Sequence, residues 1–185
     1  HTLEIWPEAS FDLSMNMADT LAELNIEFEV VSDGDVNSQL VQEKLRKHSL
    51  DFWVYSGFPG VLVSTRLIET GVQFLHVHGG YLPSYRGSTT AYYSLLIDRS
   101  IGASSLILTS EIDCGPILLA RRYTGAVEGR DIDLFIDNAF RARVLLETIE
   151  QIYSRGMVSG GSGSIAFQAT PFYVIHPVLK WMAIN

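Results

Sequence analysis

One cysteine, Cys114, stands among 185 residues. A single thiol forms no internal disulfide and no thiolate zinc cage. Such sparing use fits a reducing, cytoplasmic setting. Basic residues are also scarce: 13 Lys and Arg face 21 Asp and Glu, a formal charge of -8. That balance argues against a broad phosphate-binding surface, so no nucleic-acid partner is expected. Arg86, Arg121 and Arg122 leave room for one local diphosphate pocket. No apolar run approaches the roughly 20 residues of a membrane helix, and no membrane partner is expected. No basic-then-apolar leader opens the sequence. His1 is not an initiator methionine, so a few residues of a first strand are expected to precede it. No Gly-x-Ser-x-Gly elbow occurs, which argues against a serine nucleophile. What remains is 47% hydrophobic and 18% charged, the make-up of a globular domain long enough for one sizeable core.

Strand and helix patterns alternate along the chain. Strands are expected at residues 3–6, 28–31, 52–55 and 74–77, and an antiparallel pair at 103–108 and 117–123. Helices are expected at 13–24, 36–48, 64–69 and 89–98, with a long one at 132–153. This order predicts an α/β, Rossmann-like, mostly parallel twisted sheet with helices on both faces. Residues 1–158 read as one domain, 159–164 as a flexible Gly/Ser connector, and 165–185 as a tail packing on the body or a partner. Trp181 in that apolar tail suggests a homodimer contact.

The densest chemistry lies between residues 76 and 116. His76 and His78 leave a strand on one face. Gly79-Gly80-Tyr81-Leu82-Pro83-Ser84-Tyr85-Arg86-Gly87 follows, and Glu111-Ile112-Asp113-Cys114-Gly115 closes the stretch. In parallel sheets ligands sit beyond the carboxyl ends of strands, where both histidines and the loop at Gly57 fall. Imidazoles and a carboxylate at such a place are parts of an acyl-transfer site. A lone Asp-Cys-Gly is otherwise an ordinary turn. His-x-His is also half of a metal site, but no further histidine is near in sequence, so no metal is expected.

The order Asn-x-His, Leu-Pro-x-Tyr-Arg-Gly, Asp-x-Gly is the signature of the folate-dependent formyltransferases. Residues 50–125 resemble it, with His76 in place of the asparagine. The resemblance implies 10-formyltetrahydrofolate as the formyl donor and a primary amine as acceptor. It implies that His78 stabilises the oxyanion, that Asp113 holds His78 and manages protons, and that His76 assists. Gly57, Phe58, Gly60, Val61 and Leu62 would line the folate slot, with Glu111 and Ile112 as its other wall. Leu82, Pro83, Tyr85, Arg86 and Gly87 would cover the substrate.

Three readings of His76 stay open. It replaces the amide donor, it marks a subfamily with altered substrates, or it marks a lost activity. Gly79-Gly80 also departs from the family, and implies a looser loop. The acceptor follows by elimination. Methionyl-tRNA enzymes add a C-terminal domain and handle a polyanion, and purine-pathway relatives keep the asparagine. An amino sugar on a nucleotide, in polysaccharide biosynthesis, is therefore the expected acceptor. A non-catalytic folate- or nucleotide-binding relative and a metal-dependent formyl hydrolase are the competing classes.

Overall fold

The computed structural model describes residues 15–48, 50–58, 60–124, 131–155 and 170–185. They fall into two compact units, one within residues 4–49 and one within residues 50–185. The expected strand at 3–6 and the connector at 159–164 lie outside the described residues.

In the first unit, α1 (Met17–Glu23) and α2 (Gln39–Lys47) begin at side-chain caps. Asn16 accepts from the Asp19 N–H and Ser38 from the Val41 N–H, which satisfies donors that a first helical turn leaves open. Residues 28–31 form no strand. Phe28 and Val30 are exposed there, and among the described residues no neighbouring backbone pairs with theirs. Glu29 instead pairs with Lys44 of α2. An alternating pattern makes a strand only where another edge accepts its hydrogen bonds.

The second unit is built on four strands: β1 (Trp53–Tyr55), β2 (Phe74–His78), β3 (Ser100–Ile107) and β4 (Ile117–Thr124), in that order across the sheet. β1 and β2 run parallel, joined through the short α3 (Thr65–Ile68). β3 is antiparallel to both β2 and β4. The described sheet is therefore mixed, where a mostly parallel one was expected. The connection between β3 and β4, at 108–116, contains no helix of its own and folds as a hairpin loop, which only antiparallel neighbours can use.

The register sets the site. His78 lies opposite Ser104 and His76 opposite Leu106, so these four share one face. The other face, with Leu75, Ala103 and Ser105, is covered by α5 (Asp137–Arg155), which packs on β2, β3 and β4. A buried hydroxyl pair, Ser105 and Thr148 at 2.7 Å, ties helix to sheet. α4 (Thr90–Asp98) packs on β3, and α6 (Pro177–Ile184) packs on α4.

The segment before α6 pairs with the motif loop. The Phe172 N–H donates to the Arg86 carbonyl and the Ser88 N–H to the Phe172 carbonyl, both at 2.8 Å. The Phe172 ring stacks on Tyr93, centroids 4.4 Å apart. Among the described residues, no helix is long and apolar enough to cross a membrane.

Leu106 is fully enclosed between β2 and β4 and on the histidine face. Leu106→Ala is expected to cost about 3 kcal/mol, the usual loss for a core leucine. Urea unfolding measures this directly, and a loss below about 1 kcal/mol would contradict this packing.

Candidate active site

Three apolar residues and two histidines, Phe74-Leu75-His76-Val77-His78, make β2, and its carboxyl end carries the chemistry. His78 is buried, as is Asp113. The His78 Nδ1 and an Asp113 carboxylate oxygen are 3.5 Å apart. The other ring nitrogen, Nε2, is 2.8 Å from the Tyr85 carbonyl oxygen. A carbonyl only accepts, so Nε2 carries a hydrogen. In the neutral ring Nδ1 would then offer a lone pair to a carboxylate. Nδ1 is thus the ring atom that faces the Asp113 carboxylate. Asp113 also accepts the Gly87 N–H at 3.0 Å. It holds a left-handed backbone, φ 52°, a conformation that non-glycine residues adopt mainly where their surroundings impose it.

The loop after His78 is tied down rather than loose. Thr90 donates its hydroxyl to the Gly79 carbonyl, and Ser104 donates to the Gly80 carbonyl at 2.7 Å. The Leu82 N–H returns to the Ser104 hydroxyl at 2.9 Å. Both glycines are demanded by closeness. A Cβ on Gly80 would lie 2.6 Å from His78 Nε2 and would strike the Tyr85 carbonyl. A Cβ on Gly79 would strike the Asp137 carboxylate. The expectation of a looser loop is thus corrected: the missing side chains make room for a hydrogen bond to His78 and for a second acid.

That acid and its partner had no motif to announce them. Asp137 opens α5, and Arg141 follows one turn later at 3.5 Å. Arg141 Nε donates at 2.9 Å to the carbonyl of Val77, the residue between the histidines. Burial pushes the Asp137 carboxyl above the usual range, against the pull of Arg141 and His78. Only the i, i+4 spacing of opposite charges was visible in the sequence.

His76 is anchored elsewhere. Its Nδ1 lies 3.0 Å from the Tyr55 carbonyl oxygen at the end of β1. Tyr55 also donates its hydroxyl to the Val61 carbonyl at 3.0 Å, so one residue links His76 to the loop after β1. Sequence reasoning passed over Tyr55, since a tyrosine on a short strand reads as core. In that loop Phe58, Val61 and Leu62 are exposed, as is Ile112 in the loop before Asp113. Exposed apolar side chains beside Gly57 and Gly60 suit a flat heterocycle.

The motif loop divides. Leu82 and Tyr85 are buried in the core. The Tyr85 hydroxyl donates to Asp98 at 3.0 Å, and burial with that carboxylate pushes its pKa up to about 12. These two side chains hold the loop from beneath, so the expectation that they cover substrate is corrected. Pro83, after a cis peptide bond, is exposed, and Arg86 and Gly87 are half-buried. The Thr89 hydroxyl does not cap α4; it accepts the Ile175 N–H at 2.9 Å. Arg122 pairs with Asp98 at 3.3 Å and lies over the Tyr81 ring, while Arg121 pairs with Glu147 at 2.8 Å. Neither is positioned as a loose diphosphate clamp. Among the described residues no group of three His, Cys, Asp or Glu could hold a metal ion.

A buried imidazole–carboxylate pair at a strand end, backed by a glycine loop, is an arrangement for acyl transfer. The Formyl transferase family model matches residues 12–128, and the chain belongs to that family. A methionyl-tRNA formyltransferase from Rhodopirellula baltica is 28% identical over 135 residues, 69% of this chain and 40% of that protein. The chain therefore spans less than half of that relative. Among solved structures, phosphoribosylglycinamide formyltransferase from Campylobacter jejuni superposes with TM-score 0.55 at 14% identity, covering 73% of each chain. The formyltransferase PseJ from Anoxybacillus kamchatkensis superposes with TM-score 0.57 at 19% identity, over 82% of this chain and 77% of that one. Likeness at such identity concerns the fold.

Two outcomes follow. Gly80→Ala is expected to lower stability by about 1–3 kcal/mol through overpacking. Thermal unfolding checks this, and an unchanged melting temperature would disprove the close approach to His78. Burial lowers the pKa of His76 from its ordinary 6.5, and Arg141 and His78 lower it further, against the Tyr55 hydrogen bond and Asp113. Its contribution to stability is then complete above 6.5 and lost as pH falls from there through the folded value. His76→Gln should flatten that part of the stability–pH curve, read from melting temperatures across the range.

Proposed function

We propose that this chain transfers a formyl group from 10-formyltetrahydrofolate to a primary amine carried by an amino sugar on a nucleotide. The observation that carries the transfer is the buried His78–Asp113 pair, held by the Tyr85 carbonyl at the end of β2, in a chain of the formyl transferase family. The exposed apolar loop at Phe58, Val61 and Leu62, with Glu111 and Ile112 as the facing segment, is the assigned place for the pterin. Backbone groups near Gly57 and Gly60 supply its polar contacts. The donor carries the activated group, so the protein contributes orientation and electrostatics. His78 stabilises the oxygen that gains charge as the amine adds. Asp113 orients that ring. Pro83, Arg86 and Gly87 form the wall on the acceptor side.

The choice of acceptor has lighter support. The net charge of -8 disfavours a tRNA acceptor. PseJ, similar in fold, was solved with UDP-4,6-dideoxy-4-formamido-L-AltNAc and tetrahydrofolate.

Calorimetry with a stable 10-formyltetrahydrofolate analogue tests the donor. Wild type is expected to bind it. Formyl transfer to amino-sugar nucleotides should fall at least about 100-fold in His78→Ala and in Asp113→Ala, with folding retained. A folded wild type that binds no analogue would end the folate reading, and variants as active as wild type would remove the pair from the mechanism.

A further inference from the structure

We infer that His76 is the base that takes the proton from the attacking amine, rather than a substitute for the asparagine's N–H donor. The inference rests on the formyl-transfer reading above and assigns a step within it.

The ground is the tautomer. Nδ1 of His76 sits 3.0 Å from the Tyr55 carbonyl oxygen. That oxygen can only accept, so Nδ1 holds the ring's hydrogen. The neutral ring therefore has a lone pair at Nε2, its outer nitrogen, which has no hydrogen-bond partner among the described residues. An asparagine amide can present an N–H at this place, but the neutral His76 offers an acceptor. The groups around it favour that neutral state. Arg141 on α5 and His78 on β2 oppose a further positive charge, Tyr55 on β1 and Asp113 in the β3–β4 loop favour one, and burial, the largest single influence, opposes it. Arg141 is held against the same stretch of β2 by its bond to the Val77 carbonyl.

His78 has the opposite wiring. Its Nε2 donates to the Tyr85 carbonyl, and Nδ1 faces Asp113. The two rings, two residues apart on one strand face, are thereby set for opposite tasks. The amine nitrogen bonds to the formyl carbon and becomes cationic. His76 Nε2 accepts one of its protons. As the bond from that carbon to N10 of the folate breaks, the proton shared by His78 and Asp113 passes to N10. The products are the formamide and tetrahydrofolate, and solvent returns the proton from His76 to the pair. No oxidant or metal is needed.

The test has a readout that needs no substrate. Nitrogen-15 NMR of histidine-labelled protein at neutral pH should show His76 protonated at Nδ1 and bare at Nε2; the reverse tautomer overturns the inference. The second readout is the pH profile of transfer in wild type, His76→Asn and His76→Gln, both of which keep an N–H donor and lose the base. Wild type should lose kcat as pH falls, and both variants should lose that acidic limb. Their kcat should fall about 100-fold, the usual share of one general base, with little change in KM for the donor. Variants within about threefold of wild type would mean that a donor suffices, which overturns the base assignment and leaves formyl transfer standing. If wild type binds no 10-formyltetrahydrofolate analogue, the underlying reading fails, and the base role fails with it.

Discussion

The site depends on one backbone acceptor, the carbonyl of Tyr85. It lies 2.8 Å from His78 Nε2 and so decides which nitrogen of that ring is left for Asp113. Nearly everything around Tyr85 serves to hold it. Its N–H bonds to the Tyr81 carbonyl at 3.0 Å, its hydroxyl to Asp98, and its ring stacks on Phe172. Asp98 in turn accepts from Ser100 and pairs with Arg122 of β4. Gly80 leaves the gap through which ring and carbonyl meet. A neutral hydrogen bond contributes little net stability, about 1 kcal/mol. Its value here is directional, because a ring free to rotate would present either nitrogen to the acid.

The parts of this site that were legible in the sequence are those fixed by local chemistry. His78, Asp113 and the Leu82-Pro83 loop could be read because strand, turn and spacing leave marks at short range. The β3–β4 hairpin could be read for the same reason. Tertiary partners left no such marks. Asp137 lies 59 positions after His78, and a helical Asp-x-x-x-Arg is ordinarily a solvated ion pair. Tyr85 and Leu82 were misjudged because a motif says that residues matter, not whether they face solvent or core. The direction of β3 could not be read, since a helix between two strands suggests a parallel crossover and only the pairing itself shows otherwise. Residues 28–31 alternate as a strand should, yet a pattern does not supply the neighbour that completes a ladder.

The two histidines show why a substitution cannot be judged by its side chain alone. Histidine for asparagine looks like the exchange of one donor for another. What decides the outcome is the group behind the ring. Tyr55 ends β1 beside His76 in a parallel pairing, with His76 as its register partner, so its carbonyl can meet Nδ1. His78 lies two residues beyond the pairing with β1 and finds its acceptor in the following loop instead. Strand length, three residues in β1 against five in β2, thus assigns the two rings to different acceptors.

The entry to α5 extends the same logic to charge. Residues Ile132–Ile136 form a π-helical turn before the regular helix begins. Such turns add a residue to the helical circuit, cost stability, and recur at functional sites. Here the turn is followed at once by Asp137, placed against Gly79, while Ile136, Phe140 and Val144 enter the core. Arg141 then reaches the Val77 carbonyl from the next turn. One helix start consequently brings an acid to the glycine loop and a fixed cation near His76. Burial lowers the pKa of His76 most, and this cation lowers it further.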